Sequence, residues 1–116
     1  MYKMVVVVRK DLKMSKGKLC SQVSHAVLKC GLKSKKQKSK IFSIWEKEGS
    51  KKIILKVNSL EELISLKNDL DSNNIINSLI KDAGKTFFDE PTITVLAAGP
   101  DSEERLNNFF GDLKLL

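Results

Sequence analysis

The sequence predicts a single α/β domain in which buried strands alternate with amphipathic helices. Residues 4–8 (MVVVV) are continuously apolar and β-branched, which is typical of a central strand buried on both faces. An apolar stripe of helical period follows within residues 15–31, and strand-like and helix-like segments then alternate to the C-terminus. Such interleaving favours a three-layer α/β/α arrangement with at least some parallel strand pairing. Because 116 residues bury one core but do not divide comfortably into two, we expect one domain over residues 1–116.

The boundaries of the elements follow from capping and stop signals. Ser15 is a suitable N-cap for the first helix, and Gly31 is expected to stop it. Ser59 and Glu62 form an S-x-x-E capping box that opens a later helix. Besides the first strand and the first helix, the predicted strands are residues 53–57, 77–81 and 92–97, and the predicted helices are residues 39–48, 59–70 and 101–110.

Positive charge is concentrated in the first half of the chain. Residues 1–60 contain sixteen Lys or Arg and three acidic residues, whereas residues 61–116 contain five and eleven. This asymmetry is expected of a protein that binds nucleic acid or phosphate, and a solvated lysine surface that maintains solubility is the alternative. The run KSKKQKSK at residues 33–40 has no apolar side chain, so it is predicted to be a mobile loop.

Composition excludes several other classes of protein. No apolar run approaches the roughly 18 residues of a membrane span, and the N-terminal apolar stretch is too short for a secretory signal, so we expect a cytoplasmic protein without membrane contact. Cys20 and Cys30 lie ten residues apart on one predicted helix and cannot bridge each other. Two cysteines with a single histidine do not make a zinc site.

The first predicted helix carries a polar stripe beside its apolar face. Lys16 and Lys18 occupy its first turn, where the helix dipole favours acidic residues, so a negative partner outside the chain is expected. A lone histidine in such a position is usually a hydrogen-bonded structural residue, but four polar groups in register favour the wall of a cleft. The members of the stripe are Lys18, Gln22, His25 and Lys29.

A second polar segment follows the third predicted strand. Asp82 lies just beyond that strand, where ligands gather in open α/β sheets, although Asp-Ala-Gly alone is a common turn. Thr92 and Thr94 alternate with apolar residues and face one side of the next strand, which also suits a strand that simply has one polar face. The sequence contains no common catalytic signature such as G-x-S-x-G, H-E-x-x-H or a phosphate-binding loop.

Together these segments resemble the second type of peptidyl-tRNA hydrolase, which occurs in archaea and eukaryotes. The resemblance rests on K-G-K-x-x-x-Q-x-x-H-A at residues 16–26 and D-A-G-x-T at residues 82–86, and also on T-x-T-V-L, G-P and G-x-L-K-L-L at residues 92–96, 99–100 and 111–116. One departure lies in the loop after D-A-G-x-T. Relatives usually continue with Gln, an aliphatic residue and P-G-T, whereas this chain has Phe87 in place of the glutamine and Glu90 with Pro91 in place of the Pro-Gly pair.

The resemblance implies hydrolysis of the ester that joins a nascent peptide to the ribose at the tRNA 3′ end. It also implies a four-stranded mixed sheet with helices on both faces, a homodimer, and neither cofactor nor metal. The negative partner is then a tRNA phosphate, which the helix N-terminus would bind together with Lys16 and Lys18, with Lys29 as a further tRNA contact.

The resemblance also implies a set of site residues, and ester hydrolysis suggests roles for them. Asp82 would orient or deprotonate the attacking water, and Thr86 would place the water or the leaving group. Lys18 would stabilise negative charge, and Gln22 would donate to the ester carbonyl. A non-catalytic tRNA-binding or adaptor domain on the same fold is the alternative, because the loop departs from the family pattern. The implied active-site positions are Lys18, Gln22, His25, Asp82, Thr86 and Thr94.

Overall fold

A computed structural model of the chain describes residues 1–85 and 87–116. The strands it describes are β1 (Tyr2–Arg9), β2 (Lys52–Val57), β3 (Asn77–Asp82) and β4 (Thr92–Ser102). The α-helices it describes are α1 (Lys16–Gln37), α2 (Ser39–Lys47), α3 (Leu60–Ser72) and α4 (Glu103–Phe110). None of these helices is long and apolar enough to cross a membrane.

The four strands form one mixed sheet in the order β2-β1-β4-β3. The central strand β1 runs parallel to β2 and antiparallel to β4, which pairs antiparallel with β3. Strand alternation sends Val5 and Val7 to one face, and Met4, Val6 and Val8 to the other, and all five are buried. The predicted central strand with two buried faces is therefore confirmed.

Helices cover both faces of the sheet. On one face, Leu63 of α3 and Leu106 of α4 are fully buried against β1 and β4. On the other face, Ala26 and Cys30 of α1 and Trp45 of α2 pack against the same two strands. This arrangement confirms the predicted three-layer α/β/α fold with a four-stranded mixed sheet.

The lysine-rich run at residues 33–40 is not a loop, and this prediction was wrong. Helix α1 continues past Gly31 to Gln37, and α2 begins at Ser39. Ser34 extends the buried face of α1 one turn beyond Cys30, so the segment does pack against the core despite its composition. In addition, Lys33 Nζ donates to the Asn77 carbonyl at 3.0 Å, which ties α1 to the start of β3.

The last strand is longer than predicted, and the last helix begins later. Gly99 and Pro100 remain within β4 because its pairing with β1 continues to Ser102, which lies opposite Tyr2. The Ser102 hydroxyl then accepts a hydrogen bond from the Arg105 N–H and caps α4. The predicted helix over residues 101–110 therefore loses its first two residues to the strand.

Candidate active site

One edge of the sheet brings together two polar segments that are far apart in sequence. Ser15 caps α1 by accepting a hydrogen bond from the Lys18 N–H, which sets Lys18 in the first turn. Asp82 is the last residue of β3. Lys18 Nζ lies 2.5 Å from Asp82 Oδ1, although 64 residues separate them. Their side chains are only 13% and 11% exposed, so water screens this ion pair much less than a pair on the open surface.

The second carboxylate oxygen of Asp82 is held by the backbone of the following turn. The Gly84 N–H donates to Asp82 Oδ2 at 2.9 Å. Gly84 has a φ of +79°, and a Cβ added there would lie 2.3 Å from the Glu90 carbonyl carbon. Both the backbone conformation and the close approach therefore require glycine. The turn fixes the Asp82 carboxylate in orientation as well as in position.

These contacts lower the pKa of Asp82 below its ordinary value. The hydrogen bond from Lys18 has the largest effect, the Gly84 N–H adds to it, and partial burial opposes both. Asp82 is therefore an ionised hydrogen-bond acceptor at neutral pH. Such a carboxylate is a weak base, but it is well suited to hold a water molecule in a fixed orientation.

A second pair lies beneath the polar stripe of α1. The Thr94 hydroxyl donates to Gln22 Oε1 at 2.6 Å, and both side chains are buried. A β-bulge explains this contact, because Ile80 pairs with Val95 but Lys81 pairs with Ile93, so no residue of β3 pairs opposite Thr94 in the register of the two strands. Bulges turn side chains to new directions, and this one points Thr94 at α1.

The bond from Thr94 fixes which end of the Gln22 amide faces the sheet. Gln22 Oε1 is occupied, and the amide nitrogen has no acceptor among residues 1–85 and 87–116. That nitrogen can therefore donate to a ligand. The donor role that the resemblance implies for Gln22 stays a prediction.

Other site residues implied by the resemblance lie outside this hydrogen-bonded group. His25, Lys16 and Lys29 are exposed on α1 and make no hydrogen bond or ion pair with any residue that the structure describes. His25 is therefore not the hydrogen-bonded structural histidine that was the alternative. Thr86, which was expected to place the water or leaving group, is outside the described residues.

Sequence reasoning missed an aromatic ring next to the ion pair and an arginine in the groove that this ring lines. The Phe88 ring centroid lies 5.9 Å from Lys18 Nζ, and Phe88 lines an open groove of about 760 Å³ together with Arg9, Lys81 and Ile93. Arg9 Nη1 donates to the Ile93 carbonyl at 3.0 Å and so joins the end of β1 to the start of β4. The double phenylalanine within the departing loop was the only available signal for the aromatic group.

The described residues offer no evident metal centre. Nowhere in residues 1–85 and 87–116 do three or more His, Cys, Asp or Glu side chains come together. The groups that could contact a ligand at this site are an ammonium, a carboxylate and an amide. Together they can bind an ester, hold a water and stabilise developing negative charge.

Comparison with known proteins identifies the family. The family model described as Peptidyl-tRNA hydrolase PTH2 matches residues 2–116. This chain belongs to that hydrolase family. The match includes both polar segments and the strands and helices that position them.

Individual relatives are similar over nearly their whole length. The peptidyl-tRNA hydrolase of Thermoplasma acidophilum is 45% identical over 114 residues, which is 98% of this chain and 97% of the relative. The peptidyl-tRNA hydrolases of Nanoarchaeum equitans and Thermococcus sibiricus are 46% and 47% identical over 115 residues each. Those two alignments cover 99% of this chain, and 99% and 98% of the relatives. The similarity thus extends through the site and both helical layers.

Proposed function

We propose that this chain hydrolyses the ester bond between a nascent peptide and the 3′ ribose of tRNA, with residues 1–116 acting as one catalytic domain. The observation that carries the proposal is the contact between Lys18 and Asp82, which joins the two polar segments in one site. Membership of the peptidyl-tRNA hydrolase family supports the choice of substrate. The released products are a free peptide and a tRNA that can be charged again.

Asp82 orients the attacking water in this proposal. Its carboxylate is held by Lys18 and by the Gly84 N–H, and its lowered pKa keeps it ionised at neutral pH. A fixed acceptor holds a water in line with the ester carbonyl and so removes part of the entropic cost of attack. An adjacent ribose hydroxyl already activates the ester, so modest assistance is sufficient.

Lys18 and Gln22 stabilise the negative charge that develops during attack. The Lys18 ammonium is largely shielded from water, where its field acts more strongly on an oxyanion or on the ribose oxygen. The Gln22 amide nitrogen donates to the ester carbonyl, while Thr94 keeps the amide in that orientation. Thr86 retains its predicted role of placing the water or the leaving group.

The basic N-terminal part of α1 receives the tRNA phosphates. Lys16 lies exposed in the first turn, and Lys29 is exposed about three and a half turns farther along the same helix. Cations and the unpaired N–H groups of a helix N-terminus bind phosphate jointly. His25 lies between these lysines on α1, and its catalytic role stays a prediction, as do the homodimer and the cytoplasmic location.

Release of peptide from purified peptidyl-tRNA under single-turnover conditions tests the function. We expect the unmodified chain to release peptide and Lys18→Ala to do so much more slowly, because the substitution removes the cation nearest the ester. Lys47→Ala is the matched control, since Lys47 is an exposed lysine at the end of α2 and should leave the rate unchanged.

Binding of tRNA across a salt series distinguishes the enzyme from the non-catalytic alternative. Steeply salt-dependent binding accompanied by hydrolysis supports the proposal. The same binding without any hydrolysis by the unmodified chain contradicts it and favours an RNA-binding or adaptor domain.

A further inference from the structure

Two neighbouring aromatic side chains stand at the mouth of the proposed site. The rings of Phe87 and Phe88 pack edge to face, with centroids 5.0 Å apart and an interplanar angle of 79°. The centroid of the Phe88 ring also lies 5.9 Å from Lys18 Nζ. Phe88 therefore lies between the Phe87 ring and the ammonium group as a shared neighbour. Phe87 is 44% exposed, which is unusual for so large an apolar side chain beside a charged site.

The backbone on both sides holds this loop against the sheet. On one side, Gly84 packs so closely on Glu90 that no Cβ fits between them. On the other side, the Thr92 hydroxyl donates to the Glu90 carbonyl at 2.8 Å. An aromatic ring on such an anchored loop loses little conformational freedom when a ligand binds to it.

We propose that Phe87 is a stacking platform for the terminal nucleobase of the tRNA 3′ end, with Phe88 supporting its ring. This inference rests on the proposed function, which places the ester of the 3′ ribose against Lys18 and Asp82. The base attached to that same ribose then lies one sugar away from the ion pair, on the side where the Phe87 ring packs on Phe88 next to Lys18. Unpaired bases of RNA stack on exposed aromatic side chains, so the ring chemistry fits this occupant.

The terminal base fits the platform better than the peptide does. Peptide side chains differ from one substrate to the next, whereas the terminal nucleotide is the same in all tRNA molecules. The groove beside Phe88 is lined by Arg9 and Lys81 but also by Asp89 and Glu90, so the contact proposed here is with the base and not with the phosphates that follow it.

Single-turnover hydrolysis by Phe87→Ala and Phe87→Trp tests the proposal on two substrates. One substrate is intact peptidyl-tRNA, and the other has an abasic terminal nucleotide. On the intact substrate, Phe87→Ala should raise the half-saturating enzyme concentration about 5- to 100-fold and leave the limiting rate nearly unchanged. Phe87→Trp, which keeps an aromatic ring at this position, should bind the intact substrate about as well as the unmodified chain does. On the abasic substrate, the difference between Phe87→Ala and the unmodified chain should disappear.

Leu32→Ala is the control for loss of an exposed apolar side chain, because Leu32 is 60% exposed on α1. It should match the unmodified chain on both substrates. Two results would overturn the proposal: Phe87→Ala binds intact substrate normally, or its penalty persists in full on the abasic substrate. The second result would assign the ring to the peptide instead.

A binding measurement separates this proposal from the proposed function. Tryptophan fluorescence of Phe87→Trp is titrated with a short single-stranded RNA that ends in the tRNA 3′ sequence, and then with the same RNA carrying an abasic end. The chain's only tryptophan, Trp45, is buried and supplies a constant background. Quenching by the intact RNA alone supports the platform even if no hydrolysis occurs, and equal responses to the two RNAs contradict it. Failure of hydrolysis by the unmodified chain contradicts the proposed function only.

Discussion

Two ion pairs of equal length show what is particular about the candidate site. Lys18 and Asp82 approach to 2.5 Å, and so do Lys51 and Glu103. Both pairs join residues more than fifty positions apart, and in both the lysine lowers the pKa of the acid. The side chains of the first pair are 13% and 11% exposed, whereas those of the second are 47% and 32% exposed.

The difference in exposure makes the first pair suited to the proposed chemistry and the second pair unsuited to it. Solvent and salt screen the Lys51–Glu103 pair, and exposed pairs of this kind contribute little to stability. Asp82 is held in addition by the Gly84 N–H, and Lys18 lies against the Phe88 ring. An electric field acts strongly on a bound substrate only where water is partly excluded, which is the situation of the first pair.

The largest expected difference between the two pairs appears when the acid of each is neutralised. Asp82→Asn should slow single-turnover peptide release about 10²-fold, the lower end of what a positioned acid–base group contributes, because the carboxylate orients the water more than it takes its proton. Glu103→Gln should leave the rate unchanged, since Glu103 lies at the start of α4 and contacts none of the proposed site residues. A slow Glu103→Gln variant would mean that the exposed pair also affects the site.

A smaller effect, on the free energy of unfolding, is expected when a buried and an exposed hydrogen bond of two threonines on β4 are compared. Thr94→Val leaves the buried Gln22 Oε1 without its donor, and we expect unfolding to become easier by about 1–3 kcal/mol. Thr92→Val removes a bond to the Glu90 carbonyl that solvent reaches, so its cost should be smaller. Urea unfolding measures both, and equal midpoints for the two variants would contradict the ranking.

Both ion pairs should also make the stability of the fold depend on pH. Both folded pKa values are lowered, so each carboxylate stabilises the fold above its unfolded pKa, about 3.9 for Asp and 4.3 for Glu. That contribution is lost as the pH falls through the folded value. Carbon-13 NMR titration should show that Lys18→Gln raises the pKa of Asp82 and that Lys51→Gln raises the pKa of Glu103.

Added salt should cause the smallest of these effects, a change in the pKa values of the two acids. Raising the salt concentration to about 1 M shortens the screening length to about 3 Å and should raise the pKa of Glu103 more than that of Asp82. Equal responses of the two carboxylates would contradict the assignment of Asp82 to a shielded environment.

The layers of this fold and the approach of Lys18 to Asp82 could be predicted from the sequence, whereas details that depend on packing could not. The apolar run in β1 and the apolar stripe of α1 predicted the buried faces correctly, because periodicity reports burial directly. The segment at residues 33–40 was wrongly predicted because composition does not show that Ser34 continues the buried face of α1.

Two features of the site also could not be predicted from local patterns. The bulge that points Thr94 at Gln22 depends on the register between β3 and β4, which is a property of two strands and not of one. The edge-to-face contact of Phe87 with Phe88 depends on how the loop folds over Gly84. Both features arise from contacts between segments that no single stretch of sequence contains.

A double-substitution cycle on Lys18 and Asp82 tests most directly whether they act together on one ester. Single-turnover rates of peptide release are measured for Lys18→Ala, Asp82→Asn and the double variant, with substrate binding checked in each. Groups that act as a unit give strongly non-additive losses, so the double variant should be hardly slower than the slower single variant. Losses that multiply independently, or a single variant that binds substrate and retains nearly the unmodified rate, would contradict a shared role.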